Sequence, residues 1–156
     1  MLKTEKILIK KLNANAILPQ YATPNSAGAD LYCCIEAPIL LKAGSTCMVP
    51  TGIAIAICEG YEVQIRSRSG LSAKNGIFVL NGVGTIDSDY RGELKVILAN
   101  FSQTDFVIEN QMRIAQMVLT TYTKATFELT TELDTTQRGE GGFGSSGVKT
   151  LPTNNS

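Results

Sequence analysis

Apolar residues along this chain recur at every second position. Ile7 and Ile9 alternate with polar neighbours, Ile53, Ile55 and Ile57 alternate with Ala54 and Ala56, and Tyr61, Val63 and Ile65 alternate with Glu62, Gln64 and Arg66. Val96, Ile97 and Leu98 form a continuous apolar run that predicts a strand buried on both faces, and Met117, Leu119, Thr120 and Thr121 continue the pattern. A period of two belongs to a strand, whose successive side chains point to opposite faces. The runs are short and are separated by Pro19, Pro24, Gly28, Pro38, Gly44, Pro50, Gly52, Gly60, Gly76, Gly82, Gly84 and Gly92. Short strands with turn signals at this spacing predict an all-β antiparallel sandwich or barrel. Only one segment reads as a helix. Ser69 is placed to cap residues 70–75, and Gly76 stands where a left-handed residue ends a helix. The start of that helix, beside Arg66 and Arg68, would make an anion site.

Composition narrows what such a domain can do. The 156 residues carry 14 basic and 14 acidic side chains, so net charge is zero and a nucleic acid polymer is not the expected partner. There is no histidine, which excludes His-based triads and His-ligated zinc. Acid and base work falls to carboxylates, tyrosine, lysine or water. Cys33, Cys34, Cys47 and Cys58 contain no Cys-x-x-Cys pair and read as buried structural thiols. Free thiols, no secretory segment and no long apolar run predict a cytoplasmic protein without a membrane partner.

Five clusters carry candidate chemistry. In Ser26-Ala-Gly-Ala-Asp-Leu-Tyr32, Gly28 and its small neighbours bring Asp30 tightly into a strand, though a solvated turn aspartate would read the same way. Arg66-Ser-Arg-Ser-Gly-Leu-Ser72 offers charge and hydroxyl donors to a phosphate, or is a basic turn. Asn81-Gly82 predicts a hairpin whose backbone is bare at Gly82 and Gly84. Beyond it, Asp87 and Asp89 would share one face of an extended segment, and one of them could activate water. Gln116 is an amide within an apolar strand and must find hydrogen-bond partners. Residues 138–147, Arg-Gly-Glu-Gly-Gly-Phe-Gly-Ser-Ser-Gly, combine a guanidinium, a ring, hydroxyls and bare backbone, which suits a nucleotide; composition alone would also allow a flexible terminus.

Taken in order, Ala27-Gly-Ala-Asp-Leu31, Arg68-Ser-Gly-Leu71, Gly84-Thr-Ile-Asp-Ser-Asp-Tyr-Arg-Gly92, Arg113-Ile-Ala-Gln116 and the segment 138–147 resemble the five motifs of the trimeric dUTP pyrophosphatases (dUTPases). The resemblance spans residues 5–147, and the third and fifth motifs are the most specific. It implies a jelly-roll-like β-barrel over residues 1–137, with one short helix, and a flexible Gly-rich lid and tail over 138–156. It also implies a homotrimer with three shared active sites. One subunit would supply motifs one, two and four, a second the third motif, and a third its tail.

The implied reaction is Mg²⁺-assisted attack of water on the α-phosphorus of dUTP, giving dUMP and pyrophosphate. It would limit uracil incorporation into DNA and supply dUMP for thymidylate synthesis. By the same resemblance Asp87 binds the 3′-hydroxyl and activates the water, while Tyr90 stacks on the deoxyribose. Asn81, Gly84, Thr85, Ile86 and Lys95 line the uracil pocket. Arg68, Ser69, Gly70 and Gln116 take the phosphates, and Asp30 holds Mg²⁺ through water. Arg138 reaches the γ-phosphate, Phe143 covers the base with Gly144 beside it, and Ser145 and Ser146 donate to phosphate. Ser146 stands where threonine is frequent in the family, and the hydroxyl is kept. The alternatives are a dCTP deaminase of the same fold and a dUTP-binding regulatory protein; Tyr90 and the complete tail favour the pyrophosphatase.

Overall fold

Strand Thr46–Ala56 lies between two partners, and its ladder with one of them is interrupted midway. In the computed structural model, which describes residues 4–144, the elements run β1 (Leu8–Lys11), β2 (Gln20–Tyr21), β3 (Ala29–Tyr32), β4 (Ile39–Leu41), β5 (Thr46–Ala56), β6 (Tyr61–Arg66), α1 (Ser69–Asn75), β7 (Ile77–Val79), β8 (Gly84–Ile86), β9 (Glu93–Asn100), β10 (Phe106–Ile108) and β11 (Arg113–Thr121). On one edge β5 pairs with β9, from Thr46 opposite Ala99 to Pro50 opposite Lys95 and again at Ala54 opposite Glu93; on the other edge its second half pairs with β1, from Ile53 opposite Lys11 to Ala56 opposite Leu8. The register shifts between Pro50 and Ala54. Pro50 has no N–H for a ladder, and Gly52 has φ +69°, a left-handed value that favours glycine. A Cβ on Gly52 would stand 2.9 Å from the Ala16 Cβ and 3.0 Å from that of Cys34. The bend is held by polar contacts. Buried Thr51 donates to the Leu94 carbonyl at 2.6 Å, and the Gly52 N–H donates to a Glu93 carboxylate oxygen at 2.9 Å.

All strand pairs are antiparallel. The first sheet has the order β1-β5-β9-β7, the second β2-β3-β11-β6-β8, and β4 with β10 forms a third. Leu31, Val63, Ile65 and Met117 of the second sheet join Val49, Ile53, Val96 and Leu98 of the first and Leu41 and Ile108 of the third in one apolar core. The all-β expectation with one short helix therefore holds. Asn100, 2% exposed, ties the end of β9 to the third sheet: its amide donates to the carbonyls of Leu41 (3.0 Å) and Thr104 (2.8 Å), and its oxygen accepts from the Ser102 N–H and hydroxyl.

Three local expectations are corrected. Ser69 is the first helical residue and not the cap; Arg68 occupies the cap position in extended conformation without a side-chain cap bond, while Gly76 does end the helix at φ +67°. Asn81-Gly82 does not join a paired hairpin. It carries the chain from β7 in the first sheet to β8 in the second. The thiols are not uniformly buried: Cys33 and Cys34 are, Cys47 is partly so, and Cys58, in the turn after β5, is exposed.

The chain divides into two units, Met1–Thr123 and Lys124–Ser156. Every strand and the helix lie in the first. Among the described residues the second has no regular element, and Phe127, Leu129, Leu133 and Phe143 are almost wholly exposed. No helix among the described residues is long and apolar enough to cross a membrane.

Two stability and reactivity tests follow from this packing. Asn100→Ala leaves two carbonyls without their donor and should lower unfolding stability by about 3 kcal/mol in a urea titration. Burial pushes the Cys33 and Cys47 thiols above the ordinary 9.0. In an alkaline titration with a thiol reagent, Cys58 should react first and Cys33 only as the protein unfolds. Because the folded state keeps those protons longer, stability should fall as pH rises past 9.0 and continue to fall through the raised folded values.

Candidate active site

Asp30 is the centre of the first of two polar pockets. It is 9% exposed on β3, opposite Gln116 of β11. One carboxylate oxygen accepts from Arg68 Nε at 2.8 Å and the other from Arg113 Nη1 at 3.0 Å. A buried carboxylate needs such partners. Here both are guanidinium groups, and Asp30 holds them together against their mutual repulsion. The pocket, about 350 Å³, is lined by these three residues with Gly28, Ser69, Gly70 and Gln116.

A local irregularity builds this cluster. Arg113 and Gln116 are three residues apart, which in a regular strand puts them on opposite faces. The register shift between Arg113 and Ala115 is a bulge that removes one alternation. Arg113 then pairs with Tyr32 and Gln116 with Asp30, two positions of one face. Gln116 Nε2 donates to the Ser67 carbonyl at 3.0 Å, which satisfies the strand amide. Its side chain lies so close to Gly28 that a Cβ there would fall 3.0 Å from the Gln116 Cδ, and any larger residue at 28 would displace the amide.

The second pocket, about 270 Å³, is lined by Thr85, Ile86, Asp87, Tyr90, Glu93 and Lys95 over Met48 and Ile97. Asp87 and Asp89 do not share an extended face: after β8 the chain turns, with the Tyr90 N–H donating to the Asp87 carbonyl at 3.2 Å. Tyr90 Oη donates to the Glu93 carbonyl at 3.1 Å, and its ring would lie 2.6 Å (Cζ) from a Cβ on Gly92. A side chain at 92 would therefore meet the Tyr90 ring where it now lies. Gly84 is buried opposite Ile65, so its missing side chain makes room for Asn81 and Ile65; the open backbone lies at exposed Gly82.

Ten of the expected residues thus fall into two groups on one chain, Asn81 and Gly84 line neither pocket, and the two pockets share no lining residue. Arg68, Ser69, Gly70, Gln116 and Asp30 meet in the first; Thr85, Ile86, Asp87, Tyr90 and Lys95 meet in the second. Arg66 is absent from both and turns back to Gln64. Its place is taken by Arg113, which had no assigned role although it heads the fourth motif. In the tail, Arg138 Nε donates to the Gly141 carbonyl at 2.7 Å and Phe143 is fully exposed at φ +49°. Gly144 has φ +92°, and Ser145 and Ser146 lie outside the described residues. Among the described residues no three Cys, Asp or Glu converge as a metal cage.

The dUTPase family model matches residues 14–147. The deoxyuridine 5'-triphosphate nucleotidohydrolase of Rickettsia bellii is 56% identical over 144 residues, covering 92% of this chain and 96% of the relative. That of Orientia tsutsugamushi (strain Ikeda) is 53% identical over 147 residues, covering 92% and 99%. The Staphylococcus bacteriophage 80alpha dUTPase, solved with dUPNHPP, superposes with a TM-score of 0.83 at 27% identity, over 93% of this chain and all of that one. A core of antiparallel sheets, an arginine-lined pocket beside Asp30 and a separate pocket around Asp87 and Tyr90 accompany these likenesses, and the chain belongs to the dUTPase family.

Proposed function

We propose that this protein hydrolyses dUTP to dUMP and pyrophosphate in active sites shared between the subunits of a homotrimer. The observation that carries the reading is the split of its functional groups. One pocket has two arginines, a serine and an amide suited to phosphates; the other has a carboxylate and a ring suited to a nucleoside. Each is half of a nucleotide site, and a neighbouring copy of the chain supplies the complement.

In this reading Tyr90 lies against the deoxyribose and leaves no room for a 2′-hydroxyl. Backbone groups near Asn81, Thr85, Ile86 and Lys95 read the uracil edge. Arg68, Ser69, Gly70, Arg113 and Gln116 hold the phosphates from the partner side. Asp87 binds the 3′-hydroxyl, orients a water and takes its proton as the oxygen bonds the α-phosphorus. The bond to the bridging oxygen breaks and pyrophosphate leaves. Positioning and charge neutralisation supply most of the acceleration in such transfers. The tail from Arg138, with the ring of Phe143 uncommitted, closes over the site as a lid, and Ser145 and Ser146 add phosphate donors.

The residues present fit Mg²⁺ held chiefly by the substrate. Asp30 is the one carboxylate lining the phosphate pocket, and two guanidinium bonds leave it acceptor capacity for a metal-bound water. Bound there, the ion would neutralise charge on the phosphate oxygens. Four free thiols suit a reducing, cytoplasmic setting.

Two experiments test the reading. Pyrophosphate release should be fast with dUTP and weak with dTTP, dCTP and UTP; ammonia release from dCTP instead would make the protein a deaminase. Asp87→Asn and Arg68→Gln should each lower kcat by about 10²–10⁴-fold. Mixed by unfolding and refolding together, the two inactive variants should recover roughly a quarter of wild-type activity, because about one site in four then draws both intact halves from different chains. No recovery in mixed trimers would place both halves of a site on one subunit.

A further inference from the structure

We propose that Arg91 is a positioning residue that fixes the turn carrying Asp87 and Tyr90. The inference rests on the role given above to Asp87. Strand β8 ends at Ile86 and β9 begins at Glu93, so residues 87–92 lie between the ladders. Within the turn one backbone hydrogen bond is present, from the Tyr90 N–H to the Asp87 carbonyl, and at 3.2 Å it is at the long end of the usual range. The Asp87 carboxylate accepts no hydrogen bond from any described residue, so no side-chain partner holds its direction and the position of its backbone matters more.

Arg91 supplies what the turn lacks. A single nitrogen, Nη1, donates to the Ser88 carbonyl at 2.6 Å and to the Tyr90 carbonyl at 2.8 Å. These are short, charge-assisted bonds, and they fix the Ser88–Asp89 and Tyr90–Arg91 peptide groups on either side of the Asp89–Tyr90 corner. No carboxylate among the described residues pairs with this guanidinium. Arg91 also lines a cavity of about 370 Å³ with Leu8, Ile9, Ala54 and Ile55 of the β1–β5 ladder. On the other side the turn is fixed by the Tyr90 hydroxyl on the Glu93 carbonyl. One clamp orients the ring and the other orients the peptides that aim Asp87. A misaimed general base loses rate without losing substrate affinity.

The test compares wild type, Arg91→Ala and Arg91→Lys as full-length protein. Arg91→Ala should lower kcat for dUTP by about tenfold with KM within about twofold. Hydrogen exchange at the Tyr90 amide, followed by NMR, should speed up by a similar factor, of order tenfold. Thermal midpoint and oligomeric state should stay as in wild type. Arg91→Lys, whose ammonium can donate to both carbonyls, should recover most of kcat and of the amide protection. A rise in KM with kcat preserved would make Arg91 a substrate contact and overturn the inference. So would a kcat within twofold of wild type, unchanged exchange at Tyr90, or a lysine variant no better than alanine. If wild type releases no pyrophosphate from dUTP, the functional reading fails, while the exchange comparison still decides whether Arg91 holds the turn.

Discussion

The bend in β5 is the constraint on which the fold turns. Strand β5 lies between β1 and β9. Pro50 and Gly52 interrupt its ladder with β9, one by lacking a donor and the other by its left-handed φ, and the ladder resumes where Ala54 lies opposite Glu93. The Glu93 carboxylate then takes the Gly52 N–H that the bulge leaves over. The same Glu93 accepts the Tyr90 hydroxyl at its carbonyl and lies 3.8 Å from the Lys95 ammonium. A structural bend and the wall of a nucleoside pocket therefore share one residue. A substitution at 93 would disturb both, which couples foldability to activity at a position that touches no proposed reacting atom.

Much of this was legible in the sequence because strand period and turn residues are local properties. Val63 and Ile65 in β6, Ile53 and Ile55 in β5 and Met117 in β11 all lie in the core the alternation predicted. The failures have a common cause: they depend on which strands become neighbours. Asn81-Gly82 has hairpin chemistry, yet β7 and β8 find partners in different sheets, so a turn signal became a crossover. Asp87 and Asp89 looked coplanar only while the segment was taken as extended. Arg113 was overlooked because simple alternation points it away from Gln116, and a bulge leaves no mark in single-residue propensities. Arg66 was favoured by its nearness to Arg68 in sequence, although Gln64, two positions back on the same strand face, engages it first.

The site's division within one chain also explains why motif order carried more than any single motif. Each cluster has an ordinary structural reading when taken alone. The pocket assigned above to the phosphates is built from two strands of one sheet, β3 and β11, with a helix start; the pocket assigned to the nucleoside is built around the connection from β8 to β9, which joins two sheets. Different parts of the fold hold them, so either half can be damaged without loss of the other.

Asp30 has a consequence for what happens after the chemistry. Two arginines facing a cavity would form a strongly cationic trap, and inorganic phosphates would be slow to leave it. With the carboxylate between them the set Arg68, Arg113 and Asp30 carries a net charge of +1. On the function proposed above, a triphosphate, bringing several charges and a nucleoside gripped elsewhere, would still be held, whereas pyrophosphate, cut from that second anchor, would meet only a modest field. The buried acid gathers the two arginines, and in that reading it would also temper product retention and favour repeated turnover over product inhibition.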